Sequence, residues 1–388
     1  MRGVLNPLDD YAVHQTPEPL AHPATPDANA YDRYFFNGYD DDGDVVFAVA
    51  LGVYPNRQII DAAITVVHAG RQRSLHASGR MPADRTVTAV GPITVEVIAP
   101  LDRLRITADA ADLGFTVDLT FTATTPAVEE PRYQWRVGTA LLMDLTRMTQ
   151  FGRWSGSVDV DGVHHQIDPD RFRGCRDRSW GIRPVGDQAR SADRHVLPQF
   201  FWLWAPVNLD DGGAVHLDVN EFGDGRRWHQ AALLVPALGA QAPATERFDP
   251  DAAEVLPGLT HEIDWVPGTR RAATARFDLT GVRGERHHLD LEPIATLLMK
   301  GLGYTSADWP HGGWKGELAV GTEAWTVDEL DPTDLTNVHV QQLCRARLVD
   351  DQGATRTGVG VLEILAVNAH EPSGLTGFSD GHAGTPHP

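Results

Sequence analysis

The stretch QFFWLWAPVNLDDGGAVHLDVNEFGDG, residues 199–225, decides the fold class. Two runs of aromatic, aliphatic and β-branched residues flank the sequence Asp210-Asp211-Gly212-Gly213. A cluster of turn residues between two such runs is typical of a β-hairpin. The sequence therefore predicts two antiparallel strands joined by a tight turn.

The first strand of this hairpin has one strongly aromatic face. Side chains of a strand alternate between its two sides, so Phe200, Trp202 and Trp204 point the same way. Ligand cavities for apolar molecules are built mainly from such side chains, but ordinary core packing uses them as well. Both interpretations stay open, with Trp202 and Trp204 as candidate substrate-binding residues.

The return strand places His216, Asp218 and Asn220 on one face. This face is either solvated or directed inward. If it points inward, Asp218 is a candidate acid, His216 its orienting partner and Asn220 a hydrogen-bond donor to a substrate.

The same short-strand pattern runs through the chain. YDRYFFNGYDDDGDVVFAVALGVYP, from Tyr31, predicts a hairpin with its turn at Asp41–Asp44. Helical patterns are sparse: Thr139–Gln150 and Ala295–Gly301 are the candidates for short helices or irregular connectors. The predicted fold class is all-β, with two tandem lipocalin-like (calycin-like) β-barrel or sandwich domains and few short helices.

The length of 388 residues favours two domains, and an internal repeat supports them. Leu141-Leu142-Met143 precedes Trp154-Ser155-Gly156, and Leu297-Leu298-Met299 precedes Trp314-Lys315-Gly316. Similar order and spacing favour duplication of one β-domain. We expect an extended segment over residues 1–30, domains over 31–190 and 191–370 with a boundary near Asp187–Arg194, and a tail over 371–388.

Composition excludes several classes of function. The formal net charge of −20 argues against binding to nucleic-acid phosphates or to anionic membrane surfaces. Two cysteines imply no disulfide framework, and the sequence contains neither a signal-peptide pattern nor a run of about 18 apolar residues. We therefore expect a cytoplasmic protein without a membrane span.

One segment has no counterpart in the second half of the repeat. Residues 174–183 place Arg176, Arg178 and Arg183 around Asp177 and Trp180. The segment is either an ion-paired domain interface or a functional site. Neighbouring arginines would hold the Asp177 carboxylate ionised, whereas burial away from them would keep it protonated.

The run Gly174-Cys175-Arg176-Asp177-Arg178-Ser179-Trp180-Gly181 resembles the Gly-Tyr-x-Asp-His-x-Trp-Gly signature of the carotenoid 1,2-hydratase and AttH-like superfamily. Cys175 stands in place of the Tyr, and Arg178 and Ser179 in place of a His-Asn pair. The superfamily includes lipocalin-like Diels–Alderases and kievitone hydratase-type enzymes. The resemblance implies two lipocalin-like domains, a ligand cavity near their junction and chemistry without a cofactor.

Two hypotheses of function follow. The first is a cofactor-independent lyase (hydratase) or isomerase/cyclase acting on an apolar terpenoid-, steroid- or polyketide-like small molecule. Asp177 or Asp218 would be the general acid, and Arg183 or His216 would set its protonation state. The faces of Trp180, Trp202 and Trp204 would stabilise developing positive charge. The second hypothesis is a non-catalytic two-domain carrier of a hydrophobic small molecule.

Other chemistry has weaker support. The 17 histidines form no His-Glu-x-x-His motif and there is no Cys-x-x-Cys, so no metal site is predicted. No nucleophile-elbow or nucleotide-binding motif is present. In the block HGGWKGE, residues 311–317, Trp314 and its neighbours either close a pocket mouth and bind substrate or lie on an exposed face.

Overall fold

The computed structural model is almost entirely antiparallel β-structure, as the alternating pattern predicts. It describes residues 5, 7–185, 198–239, 242, 244–249 and 251–383. Among them there is no α-helix, and short 3-10 helices lie at Pro7–Asp10, Pro55–Arg57, Ala111–Leu113, Ala244–Phe248, Met299–Leu302, Val327–Glu329 and Glu371–Ser373. No helix in this described part is long and apolar enough to cross a membrane.

The first sheet is formed mainly by the N-terminal half of the chain. Its strands are β1 (Ala30–Asp40), β2 (Val45–Tyr54), β3 (Ile59–His68), β4 (Arg71–Arg80), β5 (Ala89–Val90), β6 (Ile93–Ala99), β7 (Arg103–Ala110), β8 (Phe115–Ala123), β9 (Val128–Glu129), β10 (Tyr133–Val137), β11 (Ala140–Val160), β12 (Val163–Ile167) and β13 (Phe172–Ile182).

The C-terminal half forms the second sheet, with one exception. Its strands are β14 (Phe200–Leu209), β15 (Ala214–Glu221), β16 (Arg227–Val235), β17 (Glu254–Val255), β18 (Gly258–Trp265), β19 (Ala272–Thr280), β20 (Arg286–Leu298), β22 (Val340–Asp350) and β23 (Thr355–Val367), while β21 (Leu318–Thr326) pairs with β4 of the first sheet.

The two sheets share one strand order. The first runs β4-β3-β2-β1-β13-β11-β8-β7-β6, and the second runs β17-β16-β15-β14-β23-β22-β20-β19-β18. Strands at the same place in the two paths also have the same rank in chain order, so that β1 corresponds to β14 and β13 to β23. This confirms the predicted class of two tandem lipocalin-like β-units.

The short repeated words do not mark equivalent positions in these two paths. Leu141-Leu142-Met143 and Trp154 lie in β11, whose counterpart is β22, whereas Leu297-Leu298 ends β20, the counterpart of β8. Trp154 is fully buried, and Trp314 is 52% exposed in the segment before β21. The Leu-Leu-Met…Trp-x-Gly alignment was therefore wrong, although the topology is repeated.

The predicted hairpin turns at Asp41–Asp44 and Asp210–Gly213 are confirmed. The expectation of a short helix or irregular connector at Thr139–Gln150 is wrong, because residues 140–150 belong to the 21-residue strand β11. The segment Ala295–Gly301 ends β20 and then forms a 3-10 turn. The predicted boundary at Asp187–Arg194 lies outside the described residues, and the division into domains there stays a prediction.

Three apolar clusters position the two sheets. One consists of buried side chains inside the first sheet, among them Phe36 and Trp154, and another of buried side chains inside the second sheet, among them Phe201 and Leu289. The third joins both halves, with Phe35 and Cys175 on one side and Trp204 and Val361 on the other. Successive residues of β1 therefore contact two different clusters. Phe36 packs inside the first sheet, and Phe35 packs in the cluster that joins the two halves.

Candidate functional site

A cavity of about 420 Å³ lies where the two sheets meet. Asp177 on β13 and Arg147 on β11 reach it from the first sheet, and Trp202 and Trp204 on β14 reach it from the second. Tyr304 closes one side from the segment after the 3-10 helix Met299–Leu302. The predicted aromatic face thus borders a cavity, and it does so at the junction.

The side chain of Asp177 points into the cavity because side chains alternate between the two faces of β13. Cys175 and Ser179 lie on the same face of the strand as Asp177, while Arg176 and Arg178 point to the other face. Burial raises the pKa of Asp177 to about 6, although Arg147 lowers it. Within the described residues its carboxylate forms no hydrogen bond and no ion pair. Asp177 is therefore a half-buried acid that faces a mostly apolar cavity, which Arg147 and Arg183 also line.

Asp218 has the opposite environment. It is fully buried and forms an ion pair with Arg147. Its Oδ1 accepts hydrogen bonds from Trp202 Nε1 at 2.9 Å and from Asn220 Nδ2 at 3.1 Å. The Asp218 carboxylate is thus surrounded by donors, whereas that of Asp177 has none within the described residues.

Glu130 completes this buried network. Arg147 Nε donates to Glu130 Oε2 at 2.6 Å, and His216 Nε2 lies 3.2 Å from Glu130 Oε1. Burial opposes ionisation of Glu130, but Arg147 and His216 hold its pKa well below the usual range. His216, predicted as a partner of the catalytic acid, thus contacts Glu130 instead.

A second basic cluster surrounds His311. Its Nε2 donates to the carbonyl of Leu302 at 2.6 Å, while its Nδ1 accepts from Arg33 Nη1 at 2.9 Å and from Arg183 Nη2 at 3.1 Å. These three bonds fix a neutral tautomer. Burial, together with both guanidinium groups, lowers the pKa of His311 well below its usual value.

A family of unknown function, DUF8625, matches residues 5–376. The chain belongs to DUF8625. No curated protein sequence matches it.

The DUF8625 protein resembles a crystal structure from Nitrosomonas europaea assigned to AttH, at 14% identity and a TM-score of 0.51, over 86% of this chain and 92% of that one. The predicted resemblance to the AttH-like superfamily is confirmed at the level of the fold. Kievitone hydratase from Nectria haematococca matches at 14% identity and a TM-score of 0.49, over 86% of this chain and 88% of that one. CghA with Sch210972 matches at 12% identity and a TM-score of 0.48, over 87% and 89%.

Two of the predicted substrate-binding residues of this DUF8625 protein lie away from the cavity. Trp180 is 42% exposed on the face of β13 opposite Asp177, because it is three residues further along a strand of period two. Trp314 is 52% exposed and packs against the guanidinium of Arg80, 5.3 Å from its ring centre. Trp202 and Trp204 line the cavity and Trp180 and Trp314 do not, and substrate binding by any of the four stays a prediction.

The structure brings Arg183 to the cavity and places Asn220 behind it. Arg183 lines the cavity, but its guanidinium bonds to His311 and forms no ion pair with Asp177 among the described residues. Asn220 is fully buried between Asp218 and Tyr133, whose hydroxyl donates to its Oδ1 at 2.7 Å. Asn220 therefore orders the network behind the cavity.

One group of side chains in the described part of the chain has the spacing of metal ligands. Atoms of Glu130, Asp218 and His229 lie within 4.8 Å of one another. The Arg147 guanidinium forms ion pairs with both carboxylates. A metal ion at this place would therefore compete with a cation that the protein itself supplies.

Several cavity residues were missed by the sequence analysis. Arg147 was missed because Thr139–Gln150 was interpreted as a possible helix; as a strand, its alternation places Leu145 and Arg147 on one face. His339 and Glu363 also line the cavity, with His339 Nε2 2.6 Å from Glu363 Oε1. His339 directly precedes β22 and Glu363 lies in β23, so no local motif connects the two residues.

Proposed function

We propose that this DUF8625 protein is an enzyme that binds an apolar small molecule in the junction cavity and transfers a proton to it from Asp177. The reaction class is hydration, isomerisation or cyclisation of a terpenoid-, steroid- or polyketide-like compound, without a cofactor. The observation that carries the proposal is the Asp177 carboxyl, which faces the cavity with a pKa of about 6 and no hydrogen-bonded partner among the described residues.

Protonation of an alkene or a conjugated carbonyl requires an acid that is neutral near the working pH. With a pKa of about 6, about a tenth of Asp177 is protonated at pH 7 and about half at pH 6. The proton moves from the carboxyl oxygen to a substrate carbon or oxygen, which leaves the Asp177 carboxylate and a positively charged substrate. The faces of Trp202 and Trp204 line the same cavity and would stabilise that charge.

The second half of the reaction needs a base. In an isomerisation, the Asp177 carboxylate takes a proton from a neighbouring substrate carbon and is regenerated. In a hydration, water adds to the cation and loses one proton. His339 lines the cavity and is oriented by Glu363, so this pair is the candidate acceptor of that proton.

A carrier would use the same aromatic lining, but binding alone gives no reason for a desolvated acid. Holding a half-buried carboxyl against a mostly apolar lining without a hydrogen-bond donor costs free energy, and such costs concentrate at functional sites. The free acid therefore favours the enzyme over the carrier.

The proposal is tested first without a substrate. Infrared difference spectra between pH 4 and pH 8 should contain a protonated-carboxyl band that disappears in Asp177→Asn and titrates with a midpoint of about 6. A midpoint near that of an ordinary aspartate would contradict the proposal. Asp118→Asn, in an exposed ion pair with Arg105, is the matched control.

Turnover is tested with a panel of polyenes, sterols and polyketides incubated in heavy-oxygen water and in deuterium oxide. Mass spectrometry should detect incorporated oxygen or deuterium with the wild type. Asp177→Asn should lose this incorporation and retain the binding of the same compound. Incorporation that is unchanged in Asp177→Asn would remove Asp177 from the mechanism, and co-purified compounds that never change mass would identify a carrier.

A further inference from the structure

Two arginines beside the junction cavity, Arg33 buried and Arg183 half-buried, form no ion pair with a carboxylate of the described residues. Arg33 is 2% exposed, and Arg183 lines the cavity. Neither forms an ion pair within the described residues, although Arg147 and Arg178 pair with Asp218 and Asp32. Their common hydrogen-bond acceptor is His311, whose pKa is lowered by burial and further by the two guanidinium groups.

Two N–H donors of these arginines have no hydrogen-bond partner within the described residues. Arg33 Nε and Arg183 Nε are buried without a hydrogen-bond partner. The planar faces of the guanidinium groups are covered instead, Arg183 by Tyr31 at 4.7 Å and Arg33 by Tyr304 at 4.7 Å. Aromatic faces stabilise a cation but leave its N–H edge available.

Burying a cation without an ion-pair partner is costly, although Asp177 and Asp61 interact with both guanidinium groups from beyond ion-pair distance. Arg183 lines the cavity together with Thr305 and Ser306, although its unpaired Nε atom is itself covered. An arginine fork matches the two oxygens of a planar oxyanion. The local chemistry therefore fits an anionic group supplied by the ligand.

We propose that Arg183, positioned by His311 and Arg33, binds a carboxylate on the substrate, so that the ligand of this cavity is an amphipathic organic acid. Its apolar body lies against Trp202 and Trp204, and its acid group lies at the Arg183 end. This inference deepens the proposed function, since it concerns the ligand of the same cavity.

Binding of a carboxylate would also act on the general acid. Arg33 and Arg183 both lower the pKa of Asp177, in addition to the larger effects of burial, Arg147 and Glu130. A bound anion offsets the two guanidinium charges and adds repulsion, so the pKa of Asp177 rises. The substrate would thereby increase the protonated fraction of Asp177, the acid that protonates it.

The experiment compares two fluorescent probes with one apolar body, 4-(1-pyrenyl)butyrate and 4-(1-pyrenyl)butanol. Binding is measured by energy transfer from tryptophan. We expect the wild type to prefer the acid by about tenfold or more, the effect of one charge-assisted hydrogen-bonded contact. Arg183→Gln should abolish the preference while leaving the affinity for the alcohol nearly unchanged, and Arg183→Lys should retain part of it.

Arg178→Gln is the matched control, because Arg178 lies on the same strand with its side chain on the opposite face. It should keep the preference for the acid. Equal affinities for both probes in the wild type, failure of both to bind, or an equal loss of both in Arg183→Gln would overturn the proposal.

The infrared titration separates this inference from the proposed function. Saturating pyrenylbutyrate should raise the midpoint of the Asp177 band, and pyrenylbutanol should not. If Asp177 titrates like an ordinary aspartate, the acid mechanism fails while the preference for the anionic probe can still hold. If the preference is absent and the midpoint is about 6, only the carboxylate site fails.

Discussion

Arg147 on the first sheet forms a buried ion pair with Asp218 on the second, directly behind the junction cavity. Arg147 also pairs with Glu130, so one guanidinium offsets two buried carboxylates. The bond network that holds the two halves together therefore shares a residue with the cavity lining. Changes in this network should affect stability and ligand binding together.

Replacement of Arg147 should be among the most destabilising single changes in the chain. Arg147→Met leaves Glu130 and Asp218 buried without their cation, and breaking a buried ion pair in this way costs about 3–5 kcal/mol. Asp218→Asn should cost less, because Arg147 keeps Glu130 as a partner. The free energy of unfolding in urea measures both. Arg105→Met, in an exposed pair, is the control with the smallest expected change, and equal effects of the three variants would contradict this account.

Asp177 should make the protein less stable as the pH rises. Its pKa is about 6 in the folded state and lies near 3.8 in the unfolded chain, so between these values the folded state binds more protons. Stability is then lost as the pH increases through that window, by about 3 kcal/mol in total for a shift of this size.

The measurement is the free energy of unfolding of the wild type and of Asp177→Asn between pH 3.5 and pH 8. The isosteric amide does not titrate, so the variant should become more stable relative to the wild type as the pH rises and should reach a plateau above about pH 6. A constant difference across this range would show that the carboxyl is not desolvated.

His311 should make the protein sensitive to acid, the opposite direction from Asp177. Its folded pKa lies well below 6.5 because of burial and of Arg33 and Arg183, so the unfolded chain takes up a proton first as the pH falls. The stability that the neutral ring contributes is present above pH 6.5 and decreases by about 1.4 kcal/mol for each pH unit below it.

His311→Asn retains an acceptor near the position of Nδ1 and should reduce the loss of stability between pH 7 and pH 5. His288→Asn provides a control of opposite sign. A hydrogen bond to Asp278 raises the pKa of His288, so its contribution is present at low pH and its removal should increase acid sensitivity. Thermal unfolding midpoints at the two pH values distinguish these outcomes, and equal shifts for both variants would exclude the assigned protonation states.

The strands were predictable from the sequence because their two faces differ. Phe201, Leu203 and Ala205 pack inside the second sheet, while Trp204 contacts the junction, and this alternation is visible in residues 200–205. β11 was harder to recognise, since both of its faces are largely buried and its pattern does not alternate cleanly between polar and apolar residues. Period alone does not separate a strand of that kind from a helix.

The site was predictable only where its residues are close in sequence. Asp177 was found in a short motif, and Trp202 and Trp204 were found in one strand. Arg33 and Arg183 are brought together by the pairing of β1 with β13 and by contact with His311, 128 residues further along the chain than Arg183. Such contacts depend on the register of the sheets, which no single segment specifies.

Gly181, the last residue of the motif that suggested the family, should be required for the fold and not for chemistry. Its φ of +137° is unfavourable for other residues, and an added Cβ would lie 2.3 Å from the carbonyl oxygen of Asp144 on β11. Gly181→Ala should therefore cost about 2 kcal/mol or more, from backbone strain together with the displacement of β11 from β13. Gly70→Ala is the matched control, because Gly70 also has a positive φ of +72° but an added Cβ would meet no atom within 4 Å. Urea unfolding of the two variants should show the larger loss for Gly181→Ala, and equal losses would mean that strain alone, without the contact between strands, explains this glycine.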